Sequence, residues 1–177
     1  AIEGASTFAF GWLVLRYDLR SVVDDWKIER LRAYWELPAM MLQFLGNGAP
    51  AVPQALQLTR ALLRNQGLRG SAGFAAGFRG ARYRGKRTVR GFLDAIAAGD
   101  ELRAWRSLAP GAEITRGDRT PLKFSMFGAE LGGVTPTKLI AAGTFVTASL
   151  PGPAPRVLIA ELAGGGTAIS RLGYFAE

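Results

Sequence analysis

Seven consecutive residues, Gly80-Ala81-Arg82-Tyr83-Arg84-Gly85-Lys86, fit the GxxxxGK spacing with which a glycine-rich loop and a lysine cradle nucleotide phosphates. The next residue is Arg87, where the hydroxyl of Ser or Thr would hold magnesium, and no strongly apolar strand precedes the motif. In so Gly- and Arg-rich a segment the pattern arises easily by chance, so these residues point to general anion binding rather than nucleotide hydrolysis. Glu161 and Arg171 flank Gly164-Gly165-Gly166. If Ala163 opposes Thr167 across a hairpin there, Glu161 opposes Ile169 and lies diagonal to Arg171, which makes a cross-strand ion pair rather than a catalytic couple. The adjacent acids Asp24-Asp25 stand beside Lys27 and Arg30 and fit a solvated helix face better than a metal site.

The chain has neither histidine nor cysteine. Disulfides, thiolate chemistry, the common zinc sites and the usual general base near neutral pH are therefore all missing. Asp94, Glu113, Asp118 and Glu130 remain, but none falls at the spacing of a catalytic pair, and Asp94 sits where an amphipathic helix places a solvated acid. From these residues the expectation is a protein that is not an enzyme and takes no cofactor or metal.

Charge is more informative. The net +8 of the chain is carried wholly by residues 37–93, where Arg60, Arg64, Arg69, Arg79, Arg82, Arg84, Lys86, Arg87 and Arg90 face no acid. Such a run is costly to hold together without anions, so these nine residues are the candidate docking site for a polyanion or partner. Phe74, Phe78 and Tyr83 are interleaved with them, a composition that suits RNA, an anionic lipid surface such as cardiolipin, or the acidic face of a protein.

The elements follow from periodicity and punctuation. Gly4 to Leu15 is uncharged and aromatic-rich, but at 1.5 Å per residue it spans roughly 18 Å against the ~30 Å of a bilayer core, so it does not cross a membrane. Leu15, Leu19, Val22 and Trp26 recur at spacings of three and four, with Ile28, Leu31 and Trp35 on a neighbouring stripe, which predicts one helix through Glu36. Phe8, Phe10, Trp12, Leu15, Trp26 and Trp35 are then the candidate contacts to a partner helix or a membrane interface. Shorter helices fit Ala39 to Leu45 and Pro53 to Asn65, which makes residues 1–66 a helical arm. Residues 67–87 form a Gly/Arg-rich strap that cannot build its own core.

Beyond the strap come a helix from Val89 to Ala98, a Gly99 stop and a second helix capped by Asp100. A short strand from Ala112 to Arg116, a turn at Gly117-Asp118 and a helix from Thr120-Pro121 to Leu131 follow. Strands over Lys138 to Leu150, Arg156 to Ala163 and Thr167 to Phe175 complete the chain.

This order over residues 88–177, opening with FLDAIAAGDELRAWRSLAP, resembles the nuclear transport factor 2-like superfamily. The resemblance implies an α+β fold, a cone-like domain with a curved antiparallel sheet packed on helices, preceded here by the helical arm. A basic extension ahead of the cone is similar in layout to the domain shared by the membrane anchor of the mitochondrial import motor and a large-subunit mitochondrial ribosomal protein. That likeness implies a non-catalytic accessory or scaffold subunit of a large organellar assembly, a respiratory complex or mitochondrial ribosome. Its partners would be other subunits, cardiolipin or rRNA, and it would sit on the matrix side or associated with the inner membrane without spanning it. Two alternatives stand beside this: a small-molecule enzyme or carrier using the cone cavity, and an RNA-binding protein.

Overall fold

The computed structural model describes residues 13–22, 25–35, 82–154 and 156–176, with the single positions 46, 53, 57 and 64. The first two segments correct the helix expected through Glu36. They are an antiparallel hairpin of β1 (Leu13–Val22) and β2 (Asp25–Trp35), with an irregularity after Asp18. Its signal is the alternation Leu15-Arg16-Tyr17-Asp18-Leu19-Arg20, a period of two that coexists with the spacing of three and four. Residues directly opposite share a face, so Val14 and Arg16 lie with Tyr34 and Arg32, while Tyr17 and Leu19 lie with Leu31 and Ile28.

Helix α1 (Arg82–Ala97) starts inside the stretch expected to be a strap without structure of its own. Its register puts Gly85, Val89, Phe92, Leu93 and Ile96 inward, so packing supplies the order that glycine and like charge oppose. The GxxxxGK pattern is thereby excluded as a phosphate loop, because Arg82 to Gly85, which would have to form the loop, are already helical. Gly99, at φ 71°, ends the α1 segment, and Asp100 caps α2 (Glu101–Trp105) by accepting the Arg103 N–H at 3.0 Å. Asp100→Ala removes that bond and should cost about 1 kcal/mol, read as a lowered midpoint of urea unfolding.

A six-stranded sheet follows, built from β3 (Leu108–Arg116), β4 (Thr120–Pro121), β5 (Lys138–Ala142), β6 (Phe145–Leu150), β7 (Arg156–Ala163) and β8 (Ala168–Ala176), in the order β4-β3-β8-β7-β6-β5. The sheet is mixed, not wholly antiparallel as expected, because β3 runs parallel to β8. Thr120 and Pro121 pair with β3 instead of opening a helix, and α3 begins later (Phe124–Leu131). A turn at Gly143 divides the strand expected over Lys138 to Leu150 into β5 and β6. The hairpin at Gly164-Gly165-Gly166 forms as expected; all three residues have positive φ, which glycine adopts without strain. Ala163 stands opposite Ala168, one residue off the expected register, and a bulge in β8 makes the offset two at Glu161, which lies directly opposite Arg171.

The two faces of the sheet do different things. Leu139, Ala141, Val146, Ala148, Leu158, Ala160, Leu162, Ile169, Leu172 and Tyr174 pack on the helices around Phe92 and Phe127. Ile140, Val157, Ile159 and Phe175, on the opposite face, pack against Val14 and Tyr34 of the hairpin.

Candidate functional site

Strand alternation decides which groups meet between the hairpin and the sheet. On the face turned from the helices, β5 and β6 present Ala142 and Phe145, β7 presents Ile159 and Glu161, and β8 presents Arg171, Gly173 and Phe175. The β3–β4 turn adds Gly117 and Asp118, and the hairpin adds Arg16, Arg32 and Tyr34. Together they line a cavity of about 580 Å3, inside the range of small-molecule sites. Gly173 keeps it open: a Cβ there would come within 3.0 Å of the Phe175 ring and 3.4 Å of the Gly117 carbonyl oxygen.

Arg16 fastens the hairpin wall. Its side chain is 4% exposed and donates to both carboxylate oxygens of Asp118, the Nη1–Oδ1 bond measuring 2.6 Å. Asp18 Oδ1 lies 3.1 Å from the same guanidinium, which also sits 4.6 Å from the centroid of the Phe175 ring. Burial pulls the Arg16 pKa down, but the hydrogen bond and charge of Asp118, helped by Asp18, outweigh it and hold it above its ordinary value. Burial likewise pushes Asp118 up, yet the bond and charge of Arg16, with Arg32 and Arg171 behind it, leave the carboxyl below the usual range.

Tyr34 is raised by burial, which the charges of Arg16 and Arg32 and a hydrogen bond with Arg32 only partly offset, so its phenol stays protonated at neutral pH. Its ring meets Phe145 edge-on at 5.8 Å. Arg171 reaches across to the Asp118 backbone carbonyl at 2.8 Å and stands 3.8 Å from Glu113. The cross-strand ion pair expected of Arg171 is thus made with Glu113, not Glu161.

The docking and contact residues expected from the sequence are not brought together here, whereas Asp118, Glu161 and Arg171, set aside there as non-catalytic, line the pocket. Arg84, Arg87 and Arg90 are exposed on α1, with Arg87 over the Tyr83 ring at 5.9 Å. Lys86 is half-buried on the same helix, which begins at Arg82, and Arg64 is exposed. Arg60, Arg69, Arg79, Phe8, Phe10 and Trp12 lie outside the described residues. Leu15 is half-buried, Trp26 is 50% exposed, and Trp35 ends β2. Among the described residues no helix is long and apolar enough to cross a membrane. The pocket pair itself, Arg16 with Asp118, was missed: the partners are 102 positions apart, and no local spacing reports such a contact.

The interior between sheet and helices, where the enzyme or carrier alternative would place its cavity, is filled by Phe92, Phe127 and Tyr174, each at most 1% exposed. The open pocket lies on the other face.

No family model matches the sequence, and no curated protein matches it. Solved structures do. A nuclear transport factor 2-like protein of unknown function from Cytophaga hutchinsonii matches with a TM-score of 0.43 at 12% identity, over 52% of this chain and 89% of its own. A protein assigned as a ketosteroid isomerase from Kribbella flavida gives 0.41 at 18% identity, over 53% and 78%. An LEH-like epoxide hydrolase from M. tuberculosis gives 0.41 at 17% identity, over 53% and 83%. The cone-like α+β arrangement, a six-stranded mixed sheet packed on helices, is what this chain shares with them.

The expectation that the chain is not an enzyme is corrected here, since it rested on the absence of histidine. The acid–base groups that the pocket gathers, the Tyr34 phenol and the Glu161 carboxylate, need no histidine.

Proposed function

We propose that the chain is a small-molecule enzyme or carrier that works through the pocket between hairpin and sheet. The observation that supports this is the convergence, in one cavity of about 580 Å3, of an apolar floor with carboxylate, phenol and guanidinium groups. Glu161 is placed to accept a proton from a bound molecule, the protonated Tyr34 to donate a hydrogen bond, and the guanidinium groups to stabilise negative charge forming on a ligand oxygen. Asp118, held ionised by Arg16, is too weak a base for that work and holds the wall instead.

Ala142 is half-buried and pairs with Phe145 at the pocket floor, so Ala142→Trp fills the space with an indole. In thermal-shift and NMR screens with small aromatic acids, ketones and lactones, compounds that bind the native chain should lose at least tenfold in affinity in Ala142→Trp, with the circular dichroism unchanged. Undiminished binding by the variant would locate the ligand elsewhere and overturn this function.

A further inference from the structure

We infer that the ligand of this pocket is an amphipathic monoanion, an organic carboxylate whose acid group meets Arg32 and Arg171 and whose apolar body lies on Phe145, Ile159 and Phe175. This rests on the pocket reading above and adds the ligand's chemistry to it.

Three guanidinium groups, Arg16, Arg32 and Arg171, line the cavity against two carboxylates, Asp118 and Glu161. Arg16 takes the closest bonds of Asp118, with Asp18 beside it, so Arg32 and Arg171 feel that carboxylate only from farther off. Arg171 pairs with Glu113, 3.8 Å away and 69% exposed, so water screens that pair. Arg32 is half-buried and bonds the neutral phenol of Tyr34, and no ion pair of Arg32 is found among the described residues. The cationic surplus therefore faces the cavity from two sides, Arg32 from the hairpin and Arg171 from β8.

Beneath it the floor is aromatic and aliphatic. A neutral ligand would cover the floor and leave the surplus unanswered; a small inorganic anion would do the reverse. A carboxylate on an apolar body meets both, with guanidinium donors suited in shape to its two oxygens. Glu161, which stands opposite Arg171, repels a second negative charge and limits the ligand to one.

The test compares two probes of nearly equal shape, 2-naphthoate and the neutral 2-naphthamide, by calorimetry on the full chain. Naphthoate should bind at least tenfold more tightly than the amide, and the gap should narrow as salt rises. In Arg32→Gln, and independently in Arg171→Gln, the preference should fall to within about threefold while amide binding stays as it was. An amide that binds the native chain as tightly as naphthoate sinks the anion assignment and leaves the pocket standing. Failure of both probes to bind, or equal binding to Ala142→Trp, removes the pocket reading and this assignment together.

Discussion

Asp118→Ala should destabilise the docked hairpin by roughly 3 kcal/mol at neutral pH, the scale of removing one partner from a buried ion pair. The cost arises because Arg16, with its side chain 4% exposed, stays charged beneath β1 with only the edge of Asp18 to answer it. Arg16→Met keeps an apolar stem over Phe175 and leaves Asp118, 27% exposed, still facing Arg32 and Arg171, so it should cost less. The double variant should accordingly be more stable than Asp118→Ala alone, since no buried charge then lacks a partner. The pH dependence has a definite sign. The folded pKa of Asp118 lies below the ~3.9 of an unfolded aspartate, so its stabilisation is complete above about pH 4 and is lost as pH falls through the folded value. Urea unfolding followed by Tyr and Trp fluorescence should separate native chain and Asp118→Ala at pH 7 and bring them together in acid. Equal midpoints at pH 7 would show that the pair does not hold the hairpin.

Phe127→Ala should cost about 3–5 kcal/mol, much of the 5–15 kcal/mol available to a domain of this kind. Phe127 is fully buried, lies 5.9 Å from Phe92 in a stacked pair and meets Tyr174 edge-on at 5.8 Å. Truncation opens a hole among groups that sheet and helix backbones hold in place, so they close over it only in part. Because this cluster and the pocket occupy opposite faces of the sheet, naphthoate affinity should change less than twofold at a temperature where the variant is folded. A tenfold loss of affinity would mean that the two faces are coupled through β8.

What the sequence made legible was local. Gly99 followed by Asp100 announced one helix end and the next helix start, and the triple glycine announced a hairpin, because each states a backbone requirement that few other residues meet. The cone-like fold followed from the order of such signals. The N-terminal hairpin did not, because Leu15, Leu19, Val22 and Trp26 satisfy a helical spacing while Leu15, Tyr17 and Leu19 satisfy a strand's. Tertiary docking settles that choice, and it buries the face of Val14, Arg16 and Tyr34 rather than the more apolar one. Trp26, Ile28 and Leu31 stay 50–60% exposed, contrary to any rule that the greasier face goes in. The bulge at Glu161 and the parallel pairing of β3 with β8 leave no trace in composition, and they decide which groups face the pocket.

The place of β8 in the sheet also sets a schedule. It lies between β3 and β7, and the β3–β4 ribbon reaches the other strands only through it. While a ribosome extends the chain, β3 and β4 therefore have no sheet to join until Ala168–Ala176 emerges. Until then Phe92, Phe127 and Leu158 wait beside an unfinished barrier to water. Non-local closure of this kind slows folding and prolongs the time in which unpaired strand edges can meet another molecule. The nascent chain thus stays open to such encounters until the strand that unites the sheet has left the exit tunnel.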